Sequence, residues 1–201
     1  MRIGPKYKIC KRLGSSIFEK CQTKTFALRA QAGDTKKGGK RAGSDFKRQL
    51  IEKQKLRLIY SLTEKQFSGY VKEALDSGEN PSQHLFARLE TRLDSFLYRA
   101  GFAQTRRAAR QMASHGHATV NGRRVTVPSY RVSVGDVVAL RAGSQSGPLF
   151  EKLAETMKEK SVPSWVQVNA DERSATLSAR PAWGEQDSIV DFGAVFEFYT
   201  R

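Results

Sequence analysis

Near the middle of the chain, the spacing of apolar residues changes from a helical to an alternating pattern. Thr105 is a favourable N-cap for a helix that runs to Ser114, because its side-chain oxygen can accept from a first-turn backbone N–H. Beyond that helix, Asn121-Gly122 lies between β-forming residues, and this dipeptide is the strongest local hairpin signal, since both turn positions need positive φ. Residues 137–140 then form the pattern of a buried strand. A helix leading directly into a small antiparallel sheet predicts an α+β fold.

Two helices are predicted on the N-terminal side of this region. Ser44 is a favourable N-cap for an amphipathic, basic helix over residues 45–60. A second helix begins after Thr63, which forms a capping box with Gln66, and Gly78 stops it. We expect these two helices to pack as a helical hairpin whose apolar stripes form core.

Other elements follow from the same kind of pattern. Ser82 caps a helix that continues through Leu97 and is ended by Gly101. Residues 130–134 alternate as in a strand. The remaining predicted elements are a helix around residues 149–157 and short strands at residues 165–168, 175–179 and 195–199.

The charge of the chain indicates a partner rich in phosphate. The formal net charge is +15, and such an excess repels itself unless a polyanion neutralises it. Residues 1–60 hold 17 basic and 4 acidic side chains, whereas residues 142–201 hold 6 and 9. In the predicted helix after Thr105, we expect Arg106, Arg107 and Arg110 to share one face, repel one another and need an anion between them.

The first 43 residues are rich in Lys and Gly and have little to bury. We therefore expect an extended arm that becomes ordered when its charges meet phosphates, with Tyr7, Phe18 and Phe26 available to stack on bases. A solvated disordered tail is the alternative. The predicted domains are a basic N-terminal arm at 1–43, a helical domain at 44–87 that 182–201 completes, and a module of two helices packed on a small antiparallel sheet at 88–181, with a C-terminal extension.

Several classes of protein are not supported. The chain has neither an apolar run long enough to span a membrane nor the apolar segment of a secretory signal, so we expect a cytoplasmic protein without membrane contact. Cys10 and Cys21 have the spacing of neither a disulfide framework nor a metal pair, and His84, His115 and His117 are badly spaced for a metal centre. Because no catalytic motif occurs, we expect no enzyme, no cofactor and no metal.

The central region resembles a known RNA-binding module. The resemblance is carried by Arg92-Leu93-Asp94, Arg99, Gly101-Phe102, residues 106–111, His115-Gly116-His117, residues 120–125, residues 128–132 and Gly135-Asp136. These residues resemble, in order, the module named after small-subunit ribosomal protein four. Outside the module, Gly4-Pro5, residues 38–41, 44–46, 52–57, Tyr60, residues 64–67, Pro163-Ser164-Trp165 and residues 197–201 are similar to the bacterial ribosomal protein family of that name.

This resemblance implies a function and partners. It implies a primary binder of 16S ribosomal RNA that joins early at a helix junction of the 5′ domain. It also implies small-subunit ribosomal protein five as a neighbour, near the messenger entry channel, with influence on decoding accuracy. Some relatives bind their own messenger RNA. Some bacterial relatives hold zinc on four N-terminal cysteines, but Tyr7 stands where the first would be, so we expect no metal here.

The basic residues expected to bind RNA lie in three parts of the chain. They are Lys40 and Arg41 in the arm, Lys47, Arg48, Lys53, Lys55 and Arg57 in the first predicted helix, and Arg106, Arg107, Arg110, His115, Arg123 and Arg124 in the module. Arg92 and Asp94 form either a structural ion pair or part of this surface. The rival functions are a free-standing RNA chaperone or messenger-binding repressor and, less well supported, an RNA-modifying enzyme.

Overall fold

The protein is described here by a computed structural model that covers residues 3–14, 17–26, 44–183 and 190–201. In this part of the chain the α-helices are α1 (Lys6–Leu13), α2 (Asp45–Ile59), α3 (Glu64–Leu75), α4 (Pro81–Glu90), α5 (Leu93–Arg99), α6 (Arg106–Ser114), α7 (Leu153–Glu159) and α8 (Phe192–Tyr199). The strands are β1 (Ala118–Val120), β2 (Arg123–Arg124), β3 (Val137–Leu140), β4 (Val166–Asn169) and β5 (Ser174–Leu177). The predicted α+β class is confirmed. None of the helices described is long and apolar enough to cross a bilayer.

The chain divides into two compact units, residues 1–82 with 184–201 and residues 83–183. In the first unit, the predicted caps are confirmed: the Ser44 hydroxyl accepts from Lys47 N, and Thr63 and Gln66 form the capping box. The expected hairpin of α2 and α3 is wrong, because α2 packs most extensively on α8, which α3 also contacts. The rings of Phe67 and Tyr199 meet at 6.0 Å between centroids at this contact.

The C-terminal helix α8 replaces the strand predicted for residues 195–199. Its N-cap is Asp191, whose Oδ1 accepts from Ala194 N at 3.1 Å. The periodicity of a short apolar run fits a strand and a buried helix equally well, so the element on which the run packs determines its secondary structure. Here the partner is α2, another helix.

The N-terminal residues are more ordered than the sequence predicts. Helix α1 and a 3-10 turn at Glu19–Cys21 form a small apolar cluster with Leu58 of α2. Phe18 and Phe26 are buried in that cluster, whereas Tyr7 is half exposed. The extended arm is therefore a wrong description of residues 3–14 and 17–26, because their apolar side chains form a small core together with Leu58 of α2. Residues 27–43, with Lys40 and Arg41, lie outside the described part of the chain.

The second unit has helices α5, α6 and α7 around one antiparallel sheet in the order β2-β1-β3-β5-β4. The predicted hairpin is confirmed, with φ of 49° at Asn121 and 77° at Gly122. The buried face of the sheet joins the helices in a single core. Its members include Leu93, Phe96 and Leu97 of α5, Ala109, Met112 and Ala113 of α6, and Ala118, Val120, Val138, Leu140, Ala175 and Leu177 of the sheet.

The single helix predicted from Ser82 to Leu97 is broken in two. It begins at Pro81, and Arg92 is extended, with ψ of 139°, between α4 and α5. The strand predicted at residues 130–134 is not formed, and this segment bonds to the break instead: Leu93 N donates to Tyr130 O and Val132 N donates to Thr91 O. These long-range bonds satisfy backbone groups that a continuous helix would have paired locally.

Candidate nucleic-acid interface

Two buried carboxylates, Glu90 and Asp94, organise the arginines of the module. Glu90, at the end of α4, is 0% exposed and accepts from Nε and Nη2 of Arg99 at 3.0 and 2.7 Å and from Nη2 of Arg106 at 2.8 Å. Burying a carboxylate costs much free energy unless an opposite charge and hydrogen bonds compensate it. The two guanidinium groups provide both the charge and the hydrogen bonds. Arg106 also lies over the ring of Tyr98, 4.5 Å from its centroid.

Asp94, in the first turn of α5, is the second centre. It binds Arg92 through both carboxylate oxygens, at 3.0 and 2.7 Å, and it accepts from Arg110 Nε at 2.9 Å. The structural ion pair considered for Arg92 and Asp94 is present, and Arg92 is only 1% exposed. The ion pair of Arg92 and Asp94 thus lies at the break between α4 and α5.

The three arginines of α6 differ in their partners. At about 100° per residue all three lie within one arc of about 100° of the helix, but Arg106 and Arg110 are partly buried and Arg107 is exposed. The anions that Arg106 and Arg110 were expected to need are the internal carboxylates of Glu90 and Asp94. Arg107 is exposed and has no ion pair with any residue that the structure describes. The expectation that all three arginines need an anion from a partner is therefore wrong for Arg106 and Arg110, whose anions are internal.

A tight turn ends α6. Gly116 N donates to Ala113 O and His117 N donates to Met112 O, with Gly116 at φ of 71°, so the last carbonyls are capped in the usual glycine-dependent way. The guanidinium of Arg124 lies against this turn and donates through Nη2 to His115 O at 3.2 Å. A Cβ at residue 116 would stand 2.6 Å from that Nη2, so only glycine permits the approach.

The β1–β2 hairpin brings Arg123 and Arg124 beside the end of α6. Both side chains are exposed, and neither has an ion pair within the described part of the chain. His115 is exposed as well, and its ring centroid is 6.0 Å from that of His117. The structure therefore brings together His115, Arg123 and Arg124, three of the residues that the sequence predicted.

His117 and Arg141 complete this end of the module, and the sequence analysis assigned no binding role to Arg141. Its backbone N–H donates to His117 O at 2.8 Å, and His117 Nδ1 lies 3.0 Å from Ser144 Oγ. Burial lowers the pKa of His117 below 6.5, and the charges of His115, Arg141 and Arg124 lower it further. The only signal for Arg141 in the sequence was its position directly after a predicted strand.

The basic residues of α2 divide into exposed and internally paired groups. Lys47 is exposed, and Arg48 is exposed at 4.0 Å from Glu197. The other three are paired within the protein. Lys53 Nζ lies 2.8 Å from Glu64 Oε1, and Lys55 Nζ lies 2.7 Å from Glu52 Oε1. Arg57 Nη2 donates to the side-chain oxygen of Gln54 at 2.8 Å, and Arg57 Nε lies 3.6 Å from Glu64 Oε2.

Glu64 explains why Lys53 is only 7% exposed. Its carboxylate accepts from Lys53 and from the Tyr199 hydroxyl, at 2.8 and 2.7 Å, and so ties α2, α3 and α8 together. Desolvation by burial raises the pKa of Glu64, but the hydrogen bonds from Lys53 and Tyr199 and the charges of Lys53 and Arg57 outweigh it, so the pKa is lowered overall.

An α+β module in which Arg107, Arg123 and Arg124 are exposed without a carboxylate partner among the described residues, in a chain of charge +15, has the features of a nucleic-acid-binding protein. Comparison with known proteins agrees. Residues 91–138 match the model of the S4 domain, and residues 1–90 match that of the ribosomal protein S4/S9 N-terminal domain.

The matches to individual proteins extend over almost the whole chain. Small ribosomal subunit protein uS4 of Persephonella marina is 40% identical over 203 residues, covering 98% of both chains. The proteins of the same name from Polaromonas naphthalenivorans and Delftia acidovorans are 38% and 39% identical over 204 residues, covering 99% of this chain and 98% of theirs. The chain belongs to the uS4 family of small-subunit ribosomal proteins, which is not a family of enzymes. The sequence-based expectation of a ribosomal, RNA-binding protein without catalytic activity is confirmed.

Proposed function

We propose that this protein is a primary binder of 16S ribosomal RNA that nucleates assembly of the 5′ domain. In the assembled subunit it lies beside small-subunit ribosomal protein five, near the messenger entry channel, and contributes to decoding accuracy. The same surfaces bind its own messenger RNA. The observation that carries the proposal is the cluster of His115, Arg123 and Arg124, where two exposed guanidinium groups with no carboxylate partner among the described residues lie beside an imidazole on a folded scaffold.

The mechanism is electrostatic and depends on shape. Exposed cations at fixed positions meet the phosphates of a folded RNA and release its condensed counterions, which makes affinity fall steeply with salt. A double-stranded RNA helix displays its sequence poorly to side chains, so a rigid arrangement of cations recognises the shape of a junction.

Not all of the predicted residues are equally placed to contact RNA. We assign phosphate contacts to the exposed lysines and arginines, to the exposed imidazole of His115 and to the two residues outside the described part: Lys40, Arg41, Lys47, Arg48, Arg107, His115, Arg123 and Arg124. Lys53, Lys55, Arg57, Arg106 and Arg110 are held by Glu52, Gln54, Glu64, Glu90 or Asp94, and we assign them a positioning role. About eight phosphate contacts correspond to a log-log salt slope on the order of −6.

The direct test is equilibrium binding to a 16S 5′-domain RNA over a range of salt concentrations. We expect the double variant R123Q/R124Q to bind more weakly and to reduce the salt slope by about 1.5. The double variant K65Q/K72Q, which removes two exposed charges of α3 that have no ion pair among the described residues, is the matched control. Equal loss of affinity in the two variants would contradict the assigned surface.

Residence in the subunit needs its own experiment. Sucrose-gradient fractionation of cells that carry the tagged chain should place it with small subunits and with their assembly precursors. Material found only at the top of the gradient would favour a free-standing RNA chaperone or repressor. Competition between the 5′-domain RNA and the protein's own messenger tests whether both use one surface.

A further inference from the structure

Four cationic or titratable side chains converge at the C-terminal end of α6, and we call them the α6-end cluster: His115, His117, Arg124 and Arg141. They come from three places in the chain, the end of α6, strand β2 and the residue after β3. The backbone bond from Arg141 N to His117 O and the side-chain bond from Arg124 to His115 O fix their positions.

Arg141 is the unusual member. Its Nε is buried and has no hydrogen-bond partner in the described part of the chain. Buried polar groups in native proteins nearly always have a partner, and an exception calls for a missing ligand or water. The Nη2 atom of Arg141 also lies close to Gly143, 3.5 Å from the position that a Cβ would take there, so its guanidinium folds over its own loop.

The surroundings of His117 show that this cluster is not neutralised from within. Burial is the largest cause that lowers the pKa of His117, and the other causes are the charges of His115, Arg141 and Arg124. No carboxylate is among these causes. Its other neighbours are the hydroxyl of Ser144 at 3.0 Å and the ring of Phe150 at 5.1 Å between centroids. The partly buried Arg141 and the exposed Arg124 therefore place uncompensated positive charge around His117, and an anion bound there would relieve their repulsion.

We propose that Arg124, Arg141 and His117, with the Ser144 hydroxyl, form a binding site for one phosphate group. Two guanidinium groups and a hydroxyl provide hydrogen-bond donors, and the oxygens of a phosphate accept such bonds. That the phosphate belongs to the backbone of a folded RNA rests on the function proposed above, whereas the site's affinity for phosphate rests only on its own geometry. Arg141 thereby joins the interface that the sequence assigned to Arg123 and Arg124.

The test compares Arg141→Gln with Lys152→Gln in the full chain. Each variant removes one positive charge from residues 83–183, but Lys152 is an exposed residue of the segment before α7. We expect R141Q to weaken binding to the 5′-domain RNA about tenfold and to reduce the salt slope by about 0.7 to 0.9, as loss of one phosphate contact requires. K152Q should change affinity less than twofold. Arg141→Lys, which keeps the charge and loses the fork, should give an intermediate affinity.

A second arm uses inorganic phosphate and follows the imidazole of His117 by NMR. Phosphate should raise the pKa of His117 relative to chloride at the same ionic strength, and this response should disappear in R141Q. Unchanged RNA affinity in a folded R141Q protein would overturn the site and leave the proposed function standing. A wild-type protein that fails to bind the RNA, while His117 still responds to phosphate, would overturn the proposed function and support the site.

Discussion

Glu90 and Asp94 determine what the arginines around them can do. Each carboxylate is almost fully buried and is shared by two guanidinium groups. Composition cannot separate these internal arginines from the exposed ones, because both kinds raise the formal charge equally. Burial separates them: Arg106 and Arg110 compensate charges inside the module, whereas Arg107, Arg123 and Arg124 leave theirs for a partner.

Removing one of these carboxylates should destabilise the protein strongly. Asp94→Asn leaves Arg92 buried without its counter-charge, and we expect the free energy of unfolding to fall by about 3 kcal/mol, as for other broken buried pairs. Asp171→Asn is the matched control, because Asp171 also pairs with a basic side chain, Lys158 at 2.8 Å, but on the surface. Its expected loss is below about 1 kcal/mol. Urea unfolding measures both variants, and similar losses would contradict the structural role of Asp94.

His117 makes stability depend on pH. Burial and its cationic neighbours hold its pKa in the folded protein below 6.5, so the unfolded chain takes up the proton first as pH falls. Stability therefore rises with pH through this window and is lost as pH falls from about 6.5 toward the lower folded pKa. We expect His117→Asn to lose less stability than wild type between pH 7 and pH 5 in urea unfolding. An equal or larger loss in the variant would contradict the lowered pKa.

At the scale of elements, the sequence correctly predicted the helix caps and the hairpin turn, which depend on interactions between residues close together in the chain. The caps at Ser44, Thr63 and Thr105 and the Asn121-Gly122 turn depend on neighbours within a few residues, and all are present. The break at Arg92 depends on Asp94 and on backbone bonds to residues 128–132, so the apolar spacing through it predicted one continuous helix.

In the candidate site, too, the sequence located the residues set by local structure and missed those set by long-range contacts. The sequence located His115, Arg123 and Arg124 because the end of a helix and a hairpin turn are visible in it. It missed Arg141, which reaches the same place only through the pairing of β3 with β1. It also assigned Lys53 to the surface, whereas the carboxylate of Glu64, eleven residues away, holds that ammonium group inside the first unit.

The turn after α6 can be tested with two glycines that share a backbone conformation. Gly116 and Gly122 both have positive φ, 71° and 77°, so alanine at either should reduce stability by about 1 kcal/mol. A Cβ at Gly122 meets open space, but one at Gly116 clashes with the guanidinium of Arg124, which can swing away. We expect similar thermal unfolding of the two variants and a larger loss of RNA affinity in Gly116→Ala. Equal affinities would show that the position of Arg124 does not matter for binding.

At the scale of the whole molecule, the charge that acts on RNA differs from the formal charge of +15. The excess is concentrated in residues 1–60, with 17 basic and 4 acidic side chains, while residues 142–201 hold 6 and 9. Within each compact unit, some cations are compensated by carboxylates of the same unit: Lys53 and Lys55 in the first, Arg106 and Arg110 in the second. Counterion release counts phosphates that the protein neutralises, so an arginine bound to an internal carboxylate adds little to the salt dependence.

Adjacent arginines of α6 allow this distinction to be measured. Arg107→Gln removes an exposed charge, and we expect it to reduce the log-log salt slope of RNA binding by about 0.7 to 0.9 without lowering the melting temperature. Arg106→Gln removes a cation bound to the fully buried Glu90, so we expect a lower melting temperature and an unchanged slope, provided that the assay stays well below that temperature. The two variants have identical formal charge. Equal changes in slope would mean that RNA responds to total charge, and the division into internal and exposed arginines would then have no bearing on binding.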